Sequence, residues 1–250
     1  MRENYTLIRL YLDTTLINGA RISLDKPHLH YLLSVLRKSV GDRVRLFNGR
    51  DGEWAAEITD LSRKEARLVV TEQLREAKAA PDIWLCFAPV KKHRNAFIVE
   101  KATELGVGTL QTVITQRTQF PKINLDRLQA QMIEASEQTE RLDIPTLAQS
   151  CDLADLLEGW DAARILIFAD EAGEADGPNA AGPALDVISE LDGPCALLIG
   201  PEGGFTPNER ELIRSYPFVK AVTLGPRILR ADTAAIALLT LWQARHGDWV

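Results

Sequence analysis

Apolar positions recur along this chain with two different periods. From residue 83 onward, mostly apolar runs of strand length alternate with stretches of helical spacing: Ile83 to Ala88, Leu110 to Thr115, Arg164 to Ala169, Cys195 to Ile199 and Val219 to Leu224 are the runs, the first and fourth apolar throughout. A strand that is apolar at every position is covered on both faces, as in a parallel sheet. Between them the spacing predicts helices: one capped by Asn95, with Ile98, Ala102 and Leu105 on one face and Gly106 closing it, and one from Leu125 through Leu128, Met132 and Ala135. Further helices are predicted from Ala184 to Leu191, behind Thr206, and from Asp232 to Arg245, while Gly173 to Pro183 reads as a loop. This alternation specifies an α/β domain.

The front of the chain follows another pattern. Short strand-like runs at Leu7 to Leu12, Val44 to Phe47, Trp54 to Ile58 and Ala66 to Thr71 surround one helix, opened by Asp25-Lys26-Pro27 and carrying Leu29, Leu32, Leu33 and Leu36. Asn48-Gly49 and Asp51-Gly52 are hairpin signals. A small β-rich domain follows, which a barrel would close. Gln73 to Asp82, ending Ala80-Pro81-Asp82, reads as the linker, so two domains are expected, 1–76 and 77–250.

Two glycine-rich turns close neighbouring apolar runs and lead into helices: Gly200-Pro201-Glu202-Gly203-Gly204-Phe205 and Leu224-Gly225-Pro226-Arg227-Ile228-Leu229-Arg230. Thr206, Pro207 and Glu209 supply an N-cap, an N1 proline and a capping-box partner. Turns at the carboxyl ends of parallel strands are where open α/β sheets hold ligands. Ordinary tight turns carry similar punctuation. A P-loop is excluded because no Lys-Ser or Lys-Thr follows the glycines, and a dinucleotide fingerprint because they follow a late strand.

Composition narrows the partners. At 46% hydrophobic with mean hydropathy −0.10, the 250 residues can bury a core, and no apolar run reaches membrane-spanning length. Met1-Arg2-Glu3-Asn4-Tyr5 does not begin a secretory signal, so a cytoplasmic location is expected. Cys86, Cys151 and Cys195, widely spaced, read as buried thiols rather than a disulfide framework. The formal charge of −6 is uneven: residues 1–78 hold 14 Lys and Arg against 11 Asp and Glu, and the rest hold 15 against 24. A basic front section suits an anionic partner met by one part of the molecule. His28 and His30, two apart on a helix, point in different directions and cannot share a metal ion, so no metal site is expected. His30, Ser34 and Arg37 share a polar stripe with Lys38 beside it, the pattern of a phosphate contact or of a solvated face. The last helix, apolar around most of its girth, is buried within the chain or against a second copy.

The two glycine turns, together with Lys101-Ala102-Thr103-Glu104-Leu105-Gly106-Val107 and Ala135-Ser136-Glu137-Gln138-Thr139, resemble the motifs of the ribosomal RNA small-subunit methyltransferase E family. His30 to Arg37 and Leu46-Phe47-Asn48-Gly49 resemble its RNA-binding domain. The resemblance implies a PUA-like N-terminal β-barrel, a SPOUT methyltransferase domain with a parallel sheet and a C-terminal trefoil knot, and a homodimer. It also implies S-adenosyl-L-methionine as cofactor and methylation of N3 of one uridine in the 16S RNA of the small ribosomal subunit. The family commonly continues the second turn Arg-Thr-Glu-Thr-Ala, whereas this chain reads Arg230-Ala231-Asp232-Thr233-Ala234; the shorter acid keeps a capping role.

On this footing Phe168, Leu198, Ile199, Gly200, Pro201, Gly203, Gly204, Leu224, Gly225, Ile228 and Leu229 are the expected cofactor-binding residues. Arg230 and Arg227 would stabilise charge developing on the uracil, and Glu202 would accept its proton. Arg9, His30, Arg37, Lys38, Arg43, Arg50, Lys91, Lys92 and Arg94 are the expected phosphate contacts. Alternatives at the same fold are action on transfer RNA or a ribose 2′-hydroxyl, or a non-catalytic ribosome-assembly factor.

Overall fold

The computed structural model describes residues 6–170 and 181–249. They divide into two units, Met1–Ala79 with Ser136–Ile144, and Ala80–Ala135 with Pro145–Val250. The first unit's leading stretch ends at Ala79, and a short segment from mid-chain joins it.

In the first unit, β1 (Arg9–Tyr11) and β2 (Arg21–Ser23) precede α1 (Lys26–His30), whose Asp25 N-cap accepts the His28 N–H at 2.9 Å. The expected helical run does continue to Leu36, but it changes its hydrogen-bonding pattern on the way. A π-helical turn over Tyr31–Val35 follows, and Arg37 sits at φ 52°, which disrupts the expected polar stripe. Then come β3 (Arg43–Phe47), β4 (Glu53–Leu61) and β5 (Ala66–Arg75). The five strands order β1-β3-β4-β5-β2, with β1 and β3 parallel and bulges between β4 and β5 that bend the sheet. Its end strands are not hydrogen-bonded to each other among the described residues. Leu10, Leu32, Val44, Leu46, Ile58 and Leu68 are fully buried at its centre.

The second unit runs β6 (Ile83–Phe87), α2 (Lys92–Glu104), β7 (Thr109–Ile114), α3 (Leu125–Gln138), β8 (Thr146–Asp152), α4 (Leu153–Glu158) and β9 (Ile165–Ala169). It continues with β10 (Gly182–Pro183), α5 (Ala184–Ser189), β11 (Cys195–Ile199), α6 (Pro207–Arg214), β12 (Val219–Thr223) and α7 (Ala231–His246). The sheet is parallel throughout, in the order β10-β12-β9-β11-β6-β7-β8. Of the expected loop Gly173 to Pro183, residues 173–180 lie outside the described residues, whereas Gly182 and Pro183 pair with Val222 and Thr223 as an edge strand. Asn95 does not cap α2: it is buried within the helix, and its Oδ1 accepts the Val90 N–H at 2.8 Å. In α7, Ala231, Ala234, Ala235, Leu238, Leu239 and Trp242 are buried, and the helix packs on α2, α5 and β11.

Candidate functional site

Strands β9, β11 and β12 are neighbours in register, so their carboxyl ends come together at one edge. There the two glycine turns enclose a cavity of about 350 Å³, within the size range of small-ligand sites. The first turn must fold closely. A β-carbon on Gly200 would lie 2.6 Å from the Phe205 ring, and Gly204 adopts φ 64° while its N–H donates to Pro201 O at 2.9 Å. Phe205 in turn packs edge-on to Phe168 with centroids 5.1 Å apart.

The turn is then fixed by α6. Thr206 and Glu209 form the expected capping box, and the buried Glu209 also accepts the Gln116 N–H at 2.8 Å. Arg117 donates to Gly203 O at 2.8 Å, which ties the loop after β7 to the outside of the same turn. In the second turn Gly225 stands at φ 99°, a left-handed conformation that favours glycine, and its N–H donates to Thr223 Oγ1 at 3.2 Å.

Ile199, Gly200, Pro201, Gly204, Leu224, Gly225, Ile228 and Leu229 line the cavity, as do Glu202, Arg227 and Arg230. Phe168, Leu198 and Gly203 do not. Phe168 and Leu198 point into the core and are fully buried, and Gly203 faces Arg117. Alternation along a strand explains the first two, because the residue adjacent to a pocket-facing one turns to the opposite face.

Sequence reasoning missed Asp170 and placed Arg94 elsewhere. Asp170 follows β9 directly, with its side chain 1% exposed, paired to Arg210 at 2.9 Å and Arg214 at 2.5 Å. Its position directly after an apolar strand was the available signal. Arg94, expected on RNA phosphate, lines the cavity: its Nη1 donates to Glu202 Oε1 at 3.0 Å, and its Nε stands 3.9 Å from Asp232 Oδ2. It therefore bridges the first glycine turn to the first turn of α7. Asp232 is not the cap of that helix, whose N-cap is Arg230; it lies inside the first turn, where an acid complements the helix dipole.

The front unit corrects further expectations. Arg9 is buried, not available to RNA: it pairs with Glu53 at 2.6 Å, donates to the carbonyls of Ser136, Glu137 and Arg141, and stacks 4.3 Å from the Phe47 ring centroid. Arg43 is paired with Glu72, and Arg50 with Asp13. His30, Arg37, Lys91 and Lys92 are exposed, and Lys38 is half-buried. Among the described residues no group of three or more His, Cys, Asp or Glu could hold a metal ion, and no helix is long and apolar enough to cross a membrane.

Comparison with known proteins bears on this site. Residues 77–243 match a family described as the RNA methyltransferase domain, and residues 24–71 match the RNA methyltransferase PUA domain. The ribosomal RNA small subunit methyltransferase E of Rickettsia conorii is 34% identical, over 92% of this chain and 93% of that relative. A Legionella pneumophila protein solved with the bound cofactor SAM superposes with a TM-score of 0.82 at 29% identity, covering 97% of this chain and 99% of that one. The ribosomal RNA small subunit methyltransferase E of Neisseria gonorrhoeae, solved bound to S-adenosyl methionine, gives 0.80 at 27% identity, covering 98% and 100%.

Proposed function

The chain belongs to the ribosomal RNA small subunit methyltransferase E family, and on that premise we propose that it methylates N3 of a uridine in small-subunit ribosomal RNA. Methylation of ribosomal RNA from S-adenosylmethionine is the activity; the atom is our reading. The observation that carries it is the cavity between the two glycine turns, lined by Arg94, Arg227 and Arg230.

That cavity fits the cofactor's chemistry. Backbone groups of Gly200, Gly204 and Gly225, which line the cavity, would offer donors and acceptors to an adenosine, and Ile199, Leu224, Ile228 and Leu229 offer apolar walls. When bound, S-adenosylmethionine supplies an electrophilic methyl group on a cationic sulfur. Asp170 is committed to Arg210 and Arg214 and holds α6 against β9. Glu202 is then the cavity carboxylate able to receive the N3 proton, with Arg94 fixing it through Oε1. Arg227 and Arg230 face the cavity and would stabilise negative charge spreading onto the uracil carbonyls. Because N3 lies on the pairing edge, the target must be unpaired or turned out of its stack.

We read the return of the chain from β12 through the second turn to α7, which packs on β11, as the threading of a trefoil knot. Ile236, Ala237, Thr240 and Leu241 form a partly exposed stripe on α7, and this stripe supports a homodimer. The cytoplasm, where ribosomes are assembled, is the proposed location.

The test is to map modified uridines in ribosomal RNA from cells lacking this chain, with and without its return. Loss and restoration of one N3-methyluridine in the small-subunit RNA is expected. An unchanged map would overturn the reading, and a change confined to transfer RNA would redirect it.

A further inference from the structure

Three arginines line the cavity of the second unit, and they are not equivalent. Arg227 and Arg230 are exposed and have no acidic partner among the described residues, which leaves their charge for a ligand. Arg94 commits its charge to the protein itself. Its guanidinium stands between Glu202 of the first glycine turn and Asp232 of α7, and the three side chains are 18%, 28% and 17% exposed. Ion pairs this accessible add little to stability, so a structural role alone accounts poorly for the arrangement.

The two acids meet different nitrogens. Nη1 donates to Glu202 Oε1 at 3.0 Å, whereas Nε stands 3.9 Å from Asp232 Oδ2, an ion pair longer than a hydrogen bond. Glu202 Oε2 has no partner among the described residues, so one oxygen of that carboxylate is anchored and the other is left to take a proton. Asp232 is itself fixed, since its Oδ1 accepts the Thr233 N–H at 2.9 Å in the first turn of α7. Arg230 is the N-cap of the same helix. Arg94 thereby ties the cavity carboxylate to the helix end that carries Arg230.

We propose that Arg94 and Asp232 are positioning residues for proton removal: Asp232 holds the Arg94 guanidinium in place, and Arg94 turns the Glu202 carboxylate so that Oε2 receives the N3 proton. The step balances. The N3–H bond breaks and its proton passes to Oε2, the electron pair left on N3 takes the methyl group, and the electrons of the broken carbon–sulfur bond stay with the sulfur. A planar guanidinium can hold two acids at once through separate nitrogens, which a single ammonium cannot do in the same geometry. The inference rests on the reading of Glu202 as the proton acceptor and adds to it the pair that aims that acceptor.

The experiment is single-turnover methyl transfer by the full chain to small ribosomal subunits from cells lacking it, with the maximal rate and the half-saturating subunit concentration read separately. Arg94→Gln is expected to lower the maximal rate roughly hundredfold, the order of loss that follows a misplacement of about 1 Å, and to leave half-saturation within about threefold. Arg94→Lys keeps a cation for Glu202 and should recover about tenfold of that loss, and Asp232→Asn, which removes the longer pair, should slow transfer roughly fivefold. Adding Arg94→Gln to Glu202→Gln should cost less than about threefold beyond Glu202→Gln alone, because the arginine acts through that carboxylate. Melting temperature and S-adenosylmethionine affinity by calorimetry should match the unaltered chain in every variant. Additive losses in the double variant, a rise in half-saturation large enough to explain the slower transfer, or cofactor affinity falling in step with rate would each overturn the proposal. Undiminished transfer by Arg94→Gln beside a slow Glu202→Gln would overturn it and leave the Glu202 reading standing, whereas undiminished transfer by Glu202→Gln would overturn that reading and the proposal with it.

Discussion

Gly200 and Gly203 look alike in sequence and behave differently in the fold. Gly200→Ala would force a methyl group within 2.6 Å of the Phe205 ring, which packs on Phe168; overpacking of this kind destabilises by about 1–3 kcal/mol. The expected outcome is a lower thermal midpoint together with weakened S-adenosylmethionine binding by calorimetry. Gly203 meets only Arg117, at 3.6 Å, so Gly203→Val should leave cofactor affinity within a few-fold; abolished binding would place Gly203 in the site after all. Arg230→Ala should lower the methylation rate far more than cofactor affinity, measured by single-turnover transfer and calorimetry side by side, because its proposed role begins when charge develops on the base. Glu53 explains why Arg9 is not a surface charge. Burial pushes the Glu53 carboxyl up, but hydrogen bonds and charge from Arg75 and Arg9 outweigh burial and hold it below the ordinary value of 4.5. A depressed folded-state value means stability that is present above pH 4.5 and lost as the pH falls through the lower folded value. Glu53→Gln should therefore destabilise by about 3–5 kcal/mol at neutral pH, by denaturant titration, and flatten the acid limb of the stability curve. An arginine in a strand reads as surface; only its partner's position in another strand reveals otherwise.

At the scale of elements, α7 is joined to the end of α2 by one side chain. Gln243, fully buried, donates from Nε2 to Leu105 O at 2.6 Å and accepts the Asp248 N–H at Oε1 at 3.0 Å. Gln243→Leu leaves both backbone groups without that partner and should lower stability by about 1–3 kcal/mol in a denaturant melt. The buried strands β6, β9 and β11 were legible because a run apolar on both faces has few other homes, and α6 because Thr206 and Glu209 carry a reciprocal cap. Strand β8 was not, because Thr146-Leu147-Ala148-Gln149-Ser150-Cys151-Asp152 is a mostly polar edge strand paired on one side only. Three-residue β2 was too short to show a period. Asn95 has the chemistry of a cap, yet uses it on Val90 from inside the helix. The cavity was legible from its glycines, whereas the Arg94 bridge from Glu202 to Asp232 joins three segments distant in sequence, and no local pattern encodes it.

For the whole molecule, the departure from sequence order is Ser136–Ile144, which belongs with the front sheet although α3 leads into it from the other unit. Glu137 Oε1 accepts the Tyr11 N–H at 2.9 Å, and Glu140 receives two bonds of 2.7 Å from Arg45 and one of 3.1 Å from Arg75. The motif Ala135 to Thr139 was recognisable in sequence, but not its destination, since pairing across a hundred residues leaves no periodic trace. Deleting residues 1–79 retains every residue lining the cavity and removes these partners of 136–144, so the remainder should melt at lower temperature; an unchanged midpoint by calorimetry would show that the segment is held without them. The same arrangement dictates a timetable for synthesis. The front sheet emerges from the translating ribosome lacking a piece encoded about 65 residues later, an interval of roughly 3–13 s at ordinary elongation speeds. Until that piece arrives, Arg45 has no Glu140 to meet, and the nascent amino-terminal unit waits incomplete for its own keystone.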